Sequence, residues 1–435
     1  MEFILFMFYF IFIQLTNQNI TFNFKINNNI SISNSSEYIK NLLNIDLITE
    51  LKVGTPIQNL DCNIQSQQFI YYISDENDTK IYNSSKSSSF DNSSSSIIQF
   101  MEGPIEKALI ANETYNFDSI SKSNISIEKF NIILSEEHKF GKEIKSCSIG
   151  VGNREFLSID NKRNLIFNLY DKKLIENISF YFNFNGKNKS ELIIGGFPHI
   201  LQKEKFNQHI FKIIKSIEKR NSKWYTQFNI SLGKNNISQH HFDTSFNPNL
   251  NGIISPSGFF QRRINNTIFS KFILEKKCIE DSYLGYYIFY HCERDTKLNI
   301  ESLENIYFEN KELNYTFEIE HKKLFEEYNN RLYYLVIFGG ETNIEWTLGK
   351  PFLENYTTVF TFDKIESYNQ SNTIGFEIPL NKKNDNKSYI IWIRLIFGFC
   401  LIVIIIISII CFTYKKNKDK KNLLDEITSP FDIEE

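Results

Sequence analysis

The chain has 435 residues and 42% of them are hydrophobic, so it can bury a large core or divide into several domains. Its formal net charge is −3, which gives no indication of a nucleic-acid partner. Phe and Tyr are abundant, and runs of aromatic and β-branched residues alternate with clusters of Asn, Ser and Gly. This pattern favours short strands over long helices.

The N-terminal region begins with an apolar run over residues 3–13, which is too short to span a bilayer. Its position predicts a secretory signal peptide over residues 1–18, with a cut near Thr16 to Asn19. A buried strand is the alternative interpretation of this run. Residues 19–46 are rich in Asn and Ser and show little pattern, so we expect them to form an exposed leader.

A second apolar run covers residues 395–414 and would extend about 30 Å as a helix, the thickness of a bilayer core. Several lysines follow it, and Trp392 and Arg394 precede it, as expected at a membrane interface. We therefore predict a tether at 380–394, a transmembrane helix at 395–414 and a cytoplasmic tail at 415–435. Together with a cleaved signal peptide, this predicts a type I single-pass protein of the secretory pathway or the cell surface.

Four of the six cysteines lie in the part that we predict to be lumenal or extracellular, where disulfides form readily. Cys278 and Cys292 flank a short segment rich in Tyr and Phe, so we expect them to pair with each other. Cys62 and Cys147 remain. Asn-x-Ser/Thr sequons are numerous, so we expect a glycoprotein. Examples of these sequons begin at Asn83, Asn124, Asn229, Asn314 and Asn355.

Two segments carry a specific resemblance. Residues 51–74 read LKVGTPIQNLDCNIQSQQFIYYIS: a strand, a Gly-Thr-Pro turn, a second strand, a polar loop and an apolar run. Residues 346–353 read WTLGKPFL, and residues 355–360 read NYTTVF. Their order and spacing resemble the pepsin-like (family A1) aspartic peptidases, and the resemblance extends over residues 47–379.

The resemblance implies an all-β, bilobal fold, with two β-barrel-like lobes at about 47–205 and 206–379 and a cleft between them. It aligns residues 97–103 with the hairpin flap over the cleft and places Phe100 where the family has a Tyr. It also places the strands of Cys62 and Cys147 side by side. A disulfide between these two cysteines is therefore possible, with two buried thiols as the alternative.

The catalytic pair of the family is missing from the aligned positions. The family uses two aspartates that share one water, one ionised and one neutral. The first loop reads Gln65-Ser66-Gln67 here, and aligning residues 252–258 with the second loop places Ser255 at the other aspartate. Neither an amide nor a hydroxyl can replace a carboxylate as acid or base. A rival alignment uses Asp243 in the second loop, but the first loop still lacks its aspartate.

The leading hypothesis is therefore a membrane-anchored, catalytically inactive member of this family that binds an extended peptide or protein in the interlobe cleft. One alternative is an active endopeptidase of the secretory pathway that uses atypical residues such as Asp243. Another is a structural surface glycoprotein. The histidines show no metal-ligand spacing and no Gly-rich phosphate loop occurs, so we expect no metal, no cofactor and no nucleic-acid partner.

Overall fold

The structure is a computed structural model of the chain. It describes residues 19–27, 35–66, 72–74, 82–99, 105–117, 125–138, 147–153, 164–184, 190–217, 219, 223–233, 241–294, 296, 298, 300, 303–340, 344–363, 372–380, 406, 407, 409, 410, 413 and 415. Residues 1–378 belong to one compact unit, and the remainder to a second. All the features below lie in the described part of the chain.

The strands of the first lobe are mostly short, and the longest belong to one antiparallel group. They are β1 (Ile20–Asn27), β2 (Asp46–Val53), β3 (Gln58–Gln65), β4 (Tyr72–Ser74), β5 (Asp91–Gln99), β6 (Ile105–Phe117), β7 (Ile125–His138), β8 (Cys147–Gly150), β9 (Ser179–Asn183) and β10 (Ser190–Ile194).

The second lobe and the connection to it contain the remaining strands. They are β11 (His209–Lys215), β12 (Trp224–Leu232), β13 (His241–Phe246), β14 (Ile253–Ser255), β15 (Cys278–Tyr283), β16 (Tyr287–Glu293), β17 (Ile306–Asn310), β18 (Tyr315–Ile319), β19 (Phe325–Tyr328), β20 (Arg331–Tyr334), β21 (Val336–Phe338), β22 (Trp346–Leu348), β23 (Thr358–Thr361) and β24 (Thr373–Pro379).

The helices in the described unit up to residue 378 are short and lie between strands. They are α1 (Ser35–Leu43), α2 (Leu165–Asp171), α3 (Pro198–Leu201), α4 (Lys203–Phe206), α5 (Phe259–Ile264), α6 (Ser270–Leu274) and α7 (Lys350–Leu353). A π-helical turn, Asn265–Phe269, joins α5 to α6. Single 3₁₀ turns occur at Ser84–Lys86 and His321–Leu324.

The described strands form two sheets. The first has thirteen strands in the order β11-β24-β23-β9-β10-β1-β2-β3-β8-β4-β7-β6-β5. The second has eleven, in the order β18-β17-β12-β13-β22-β14-β21-β16-β20-β19, with β15 paired to β16. The last strands of the chain, β23 and β24, return to the first sheet and so join the C-terminal part of the fold to the N-terminal lobe.

Aromatic packing fills the space where the two lobes meet. Trp224, at the start of the second lobe, packs its ring against Phe180 and Phe360 at centroid distances of 5.9 and 5.1 Å. Its indole N–H donates to the carbonyl of Val151 at 3.1 Å. All of these side chains are buried in one continuous hydrophobic core. Many of the Phe side chains are therefore buried in the core, as expected for large apolar side chains.

The expectation of an exposed leader over residues 19–46 is wrong for the described part of that segment. β1 lies inside the first sheet, paired with β10 on one side and β2 on the other. Its apolar residues Ile20, Phe22, Phe24 and Ile26 alternate and are buried. This period of two is the pattern of a strand, and the intervening Thr, Asn and Lys residues conceal it in a polar segment.

The expected Cys278–Cys292 disulfide is present, and so is the possible one between Cys62 and Cys147, so the alternative of two buried thiols is wrong. Cys62 and Cys147 are directly opposite each other on the parallel strands β3 and β8, with Cα atoms 4.4 Å apart. Cys278 and Cys292 are opposite each other on the antiparallel pair β15 and β16, with Cα atoms 4.0 Å apart.

Several predicted features fall largely or wholly outside the described residues. The signal peptide at 1–18 and Phe100 of the flap are among them, and only five positions of the predicted span 395–414 are described. A search of the residues that are described finds no helix with both the length and the apolar character needed to cross a membrane.

Candidate functional site at the junction of the lobes

The first candidate loop follows β3. This strand runs parallel to β8, with Ile64 opposite Ile149 and Gln65 opposite Gly150. The chain leaves β3 just after Gln65, whose carbonyl accepts a hydrogen bond from the Val151 N–H at 2.9 Å. Gln65 therefore occupies the end of the strand, as predicted for the first loop.

The second lobe repeats this arrangement with β13 and β22, which are also parallel. Phe246 lies opposite Leu348, as Ile64 lies opposite Ile149 in the first lobe. A glycine follows in each case, Gly349 after Leu348 and Gly150 after Ile149. The next residue, Asn247, donates its N–H to the Leu348 carbonyl at 2.9 Å. By this register, the residue of the second lobe that corresponds to Gln65 is Asn247.

This register corrects the placement of Ser255. β14 pairs antiparallel with β22 and parallel with β21, just as β4 pairs antiparallel with β8 and parallel with β7. β14 is thus the strand that follows the second loop, and Ser255 lies at its end, where its hydroxyl donates to the Pro256 carbonyl at 3.0 Å. The Ile253-Ile254 pair suggested the wrong strand because the sequence does not show these pairings.

Asp243 also lies away from the loop. It is on β13 opposite Gln227, four residues before Asn247, which corresponds to roughly 13 Å along an extended strand. Its carboxylate accepts from the Gln227 amide at 3.0 Å and pairs with Lys219 at 2.9 Å. Partial burial acts to raise the pKa of Asp243, but these two partners outweigh it and lower the pKa.

Lys219 connects Asp243 to a second carboxylate, since its ammonium group also pairs with Glu345 at 2.6 Å. Hydrogen bonds to both carboxylates raise the pKa of Lys219 against the opposing effect of burial. Asp243 is therefore part of a half-exposed ion-pair cluster beside the sheet. The arrangement keeps it ionised, and the structure does not bring it to the end of β3.

The two loops are joined directly by a buried hydrogen-bond network. The Ser66 N–H donates to Asn249 Oδ1 at 3.0 Å, and the Ser66 hydroxyl donates to Asn247 Oδ1 at 2.6 Å. Asn249 returns a hydrogen bond from its Nδ2 to the Ile64 carbonyl at 2.7 Å. Ser66, Asn247 and Asn249 are each at least nine-tenths buried, so this network joins the first lobe to the second in the interior of the protein.

Comparison with known proteins agrees with this architecture. The sequence model described as eukaryotic aspartyl protease matches residues 48–369. The chain belongs to this family. Among solved structures, it is similar to basic 7S globulin from soybean, with a TM-score of 0.57 and 12% identity, over 85% of this chain and 97% of that chain. That likeness confirms the bilobal, mostly-β pepsin-like fold, while no curated protein matches the chain.

This aspartyl protease family member has no carboxylate among the described residues of the two loops. Gln65, Ser66, Asn247 and Asn249 offer amides and a hydroxyl, which exchange hydrogen bonds but do not ionise near neutral pH. Gln67, the third residue of the first loop, lies outside the described residues. The described network can hold the lobes or contact a ligand, but it lacks a general acid and a general base.

The segment that ends α1 also contacts the second loop. The Ile45 N–H donates to the Asn249 carbonyl at 2.7 Å, and the Asn251 N–H donates to the Leu42 carbonyl at 2.8 Å. The Ile45 carbonyl in turn accepts from Asn249 Nδ2 at 3.3 Å. The main-chain groups of Asn249 and Asn251 are therefore already hydrogen-bonded to the segment at the end of α1.

Helix α1 itself packs against the second lobe. Tyr38 lies over Tyr328 and Tyr333, with ring centroids 4.8 and 4.0 Å away, and its hydroxyl donates to Glu326 at 3.0 Å. Burial, followed by the Glu326 charge, raises the pKa of Tyr38. Sequence reasoning missed this helix, although Tyr38, Ile39 and Leu42 have helical spacing and form its buried face.

No metal site emerges from the described residues. Within them, no group of three or more His, Cys, Asp or Glu side chains is arranged to hold a metal ion.

Proposed function

We propose that this chain is a catalytically inactive aspartyl protease family member that binds an extended peptide or protein between its lobes. The observation that carries the proposal is the pair Gln65 and Asn247. These carboxamides hold the register-equivalent positions at which the family requires two aspartates. Loss of a general acid or base typically costs about 10²- to 10⁴-fold in rate, and here both are replaced.

The edge of the first sheet, as far as its described strands show, supports peptide binding. β5 is the last strand of the thirteen-stranded sheet and pairs with β6 alone among the described strands. Edge strands present N–H and C=O groups with which an extended peptide can pair. Since the main chain at Asn249 and Asn251 is already bonded to the α1 segment, we place the ligand along β5 rather than against the second loop.

The proposed setting is the membrane of the secretory pathway or the cell surface, with the two lobes lumenal or extracellular. The two disulfides favour an oxidising compartment. The apolar run at 395–414 with its following lysines supports a type I anchor, and the sequons support glycosylation. The partners of the protein are then a peptide or protein ligand and the membrane, without nucleic acid, metal or cofactor.

The proposal is tested with the purified full-length protein and a mixed peptide library between pH 3 and pH 7. Mass spectrometry would detect new peptide ends as well as peptides retained after washing. We expect no cleavage, retention of a subset of peptides, and the same result for Asp243→Ala. Proline substitutions in β5 should reduce retention, because proline has no N–H to donate to a peptide paired with this strand.

Two outcomes would select a different function. Cleavage that disappears in Asp243→Ala would indicate an active endopeptidase with an atypical catalytic group. Neither cleavage nor retention, from a protein that is folded by circular dichroism, would leave a structural surface glycoprotein as the better account.

A further inference from the structure

A cavity of about 700 Å³ lies in the second lobe, between the hairpin β15–β16 and the turn that joins β19 to β20. Its walls are held in place by backbone pairing, because β16 pairs with β15 on one side and β20 on the other. The Cys278–Cys292 disulfide links the base of the hairpin, and the Arg294 N–H donates to the Asn330 carbonyl at 3.2 Å. A cavity of this size accommodates a small-molecule ligand.

The cavity is lined mainly by positive charge. Four cationic side chains face one carboxylate, although the whole chain is slightly acidic with a net charge of −3. The cations are Lys276, Lys277, Arg294 and Arg331, and the carboxylate is Glu293. A concentration of like charges in a concave site raises the local concentration of ions of opposite charge.

Two of the four cations are already neutralised at the rim of the cavity. Lys277 pairs with Glu275 at 2.8 Å, and Arg294 pairs with Glu327 at 2.8 Å. Among the described residues, no carboxylate forms an ion pair with Lys276 or Arg331, although both line the cavity. Arg331 also hydrogen-bonds the Tyr333 side chain and lies directly across from Glu293 on β16, so its remaining N–H groups and the Lys276 ammonium are the charged donors left for a ligand.

The floor of the cavity shows the electrostatic effect of Arg331. His291 lines the cavity, its side chain is 3% exposed, and its Nε2 lies 3.9 Å from Asp281 Oδ2. Burial, followed by the nearby Arg331 charge, lowers the pKa of His291 against the opposing effect of Asp281. The floor is thus an uncharged ring near neutral pH, and the positive charge belongs to the walls.

The turn between β19 and β20 completes the lining beside the hairpin, since β20 pairs with β16. Asn329 and Asn330 form the two-residue turn between β19 and β20, with φ angles of 45° and 60°. Both positive angles match the tight hairpin turn that fits the twist of the flanking strands. Both residues line the cavity beside Arg331.

We propose that this cavity binds a tetrahedral oxyanion, as the phosphate or sulfate ester group of a small polar molecule. The Arg331 guanidinium can donate two parallel hydrogen bonds to such a group, and Lys276 supplies a second, compact charge. This site shares no residue with the junction of the lobes and does not depend on the proposed peptide-binding function.

The test uses the full-length protein and four probes: glucose 6-phosphate, glucose 6-sulfate, inositol hexakisphosphate and unmodified glucose. Calorimetric titration should detect at least one of the charged probes and not glucose. Binding of the phosphate esters alone, or of the sulfate ester alone, would identify which oxyanion the site prefers. Either result supports the proposal.

Substitutions of the lining residues test whether the probes bind in this cavity. Arg331→Gln and Lys276→Gln should each weaken binding about tenfold or more, because each removes a charged hydrogen-bond donor. Arg331→Lys keeps the positive charge but loses the planar guanidinium group, which can donate two parallel hydrogen bonds. It should therefore weaken binding less than Arg331→Gln does. Glu293→Gln should tighten binding, since it removes the one carboxylate among the lining residues.

Lys86→Gln provides the matched control, because it removes the same charge from an exposed position in the first lobe. It should leave binding unchanged, and all variants should keep the melting temperature of the parent protein. Absence of binding by any charged probe would overturn the proposal. An equal loss in Lys86→Gln and Arg331→Gln would also overturn it, because attraction would then come from overall charge.

Discussion

The Ser66 hydroxyl donates a hydrogen bond to Asn247 Oδ1 at 2.6 Å, joining the first lobe to the second. Both residues belong to the loops in which aspartyl proteases carry their catalytic groups, and both are buried. Asn247 Oδ1 also accepts from the Asn249 N–H at 3.0 Å, so one amide oxygen organises both loops. The described residues of the two loops therefore connect the lobes through neutral hydrogen-bonding groups.

The junction should therefore contribute measurably to stability. Ser66→Ala should lower the free energy of unfolding by about 1 kcal/mol, the typical value of one hydrogen bond. Asn249→Ala should cost roughly 3 kcal/mol, because it removes the partners of the Ser66 N–H, the Ile64 carbonyl and the Ile45 carbonyl together. Denaturant titration of the parent and variant proteins would measure both.

Ser88→Ala serves as the control for this prediction. Ser88 also donates a hydrogen bond, to the Thr55 carbonyl, but it is exposed. Exposed substitutions of this kind usually change stability by less than about 0.5 kcal/mol. If Ser66→Ala and Ser88→Ala proved equally mild, the junction would not be the contact that holds the lobes.

Much of the fold could be predicted from the sequence because its signals are local. The Gly-Thr-Pro turn after β2, the Trp-x-Leu-Gly strand β22 and the alternation of Leu60, Cys62 and Ile64 in β3 each depend on a few neighbouring residues. The strand neighbours that the family implies made a disulfide between Cys62 and Cys147 possible but did not decide between it and two thiols. Local patterns combined with a known order of strands were sufficient for the turn and the two strands.

The second loop could not be placed in the same way, because its position depends on pairing between distant strands. β13 and β14 are both short, each has a Ser in its last two residues, and both border β22. Only the direction of pairing distinguishes them: β13 is parallel to β22 and β14 is antiparallel. This is why Ser255 was a reasonable expectation from its two preceding isoleucines, and why Asn247 holds the position.

Acid should destabilise the protein through His321. This side chain is 2% exposed, its Nδ1 faces the Glu304 carbonyl, and its Nε2 lies 3.0 Å from the Tyr334 hydroxyl. Burial lowers the pKa of His321, outweighing the hydrogen bond to Glu304. A histidine whose folded pKa is lowered stabilises the fold above its unfolded pKa of about 6.5, and that stability is lost as the pH falls.

The measurement is the free energy of unfolding between pH 7.5 and pH 5. The parent protein should lose stability below about pH 6.5, and His321→Gln, which cannot become charged, should show a shallower fall. His241→Gln is the matched control, because His241 is exposed and has the same ionisable group. Identical pH profiles for the parent and His321→Gln would contradict the assignment.

Helix α1 should leave its position when Tyr38 is truncated. Tyr38→Ala removes a buried ring that packs on Tyr328 and Tyr333, and substitutions of this kind cost about 3–5 kcal/mol. Tyr38→Phe keeps the ring and loses the hydrogen bond to Glu326, at about 1 kcal/mol. Hydrogen exchange reads out the local effect, since the Ile45 and Asn251 amides donate across this contact.

In Tyr38→Ala both amides should exchange faster, while those of β9 and β10 in the first lobe should be unchanged. Tyr38→Phe should give a smaller effect at the same two amides. Uniform acceleration through the whole protein would indicate global destabilisation instead of undocking of α1.

The two disulfides should differ in their contribution to stability. Cys62–Cys147 closes a loop with a sequence separation of 85, whereas Cys278–Cys292 closes one of 14. The loss of chain entropy in the unfolded state grows with loop length, giving about 4.6 kcal/mol for the longer loop and about 3 kcal/mol for the shorter. The double substitution Cys62→Ser and Cys147→Ser should therefore lower the melting temperature more than Cys278→Ser and Cys292→Ser. The reverse order would show that packing around the sulfurs, rather than restriction of the unfolded chain, determines how each disulfide stabilises the fold.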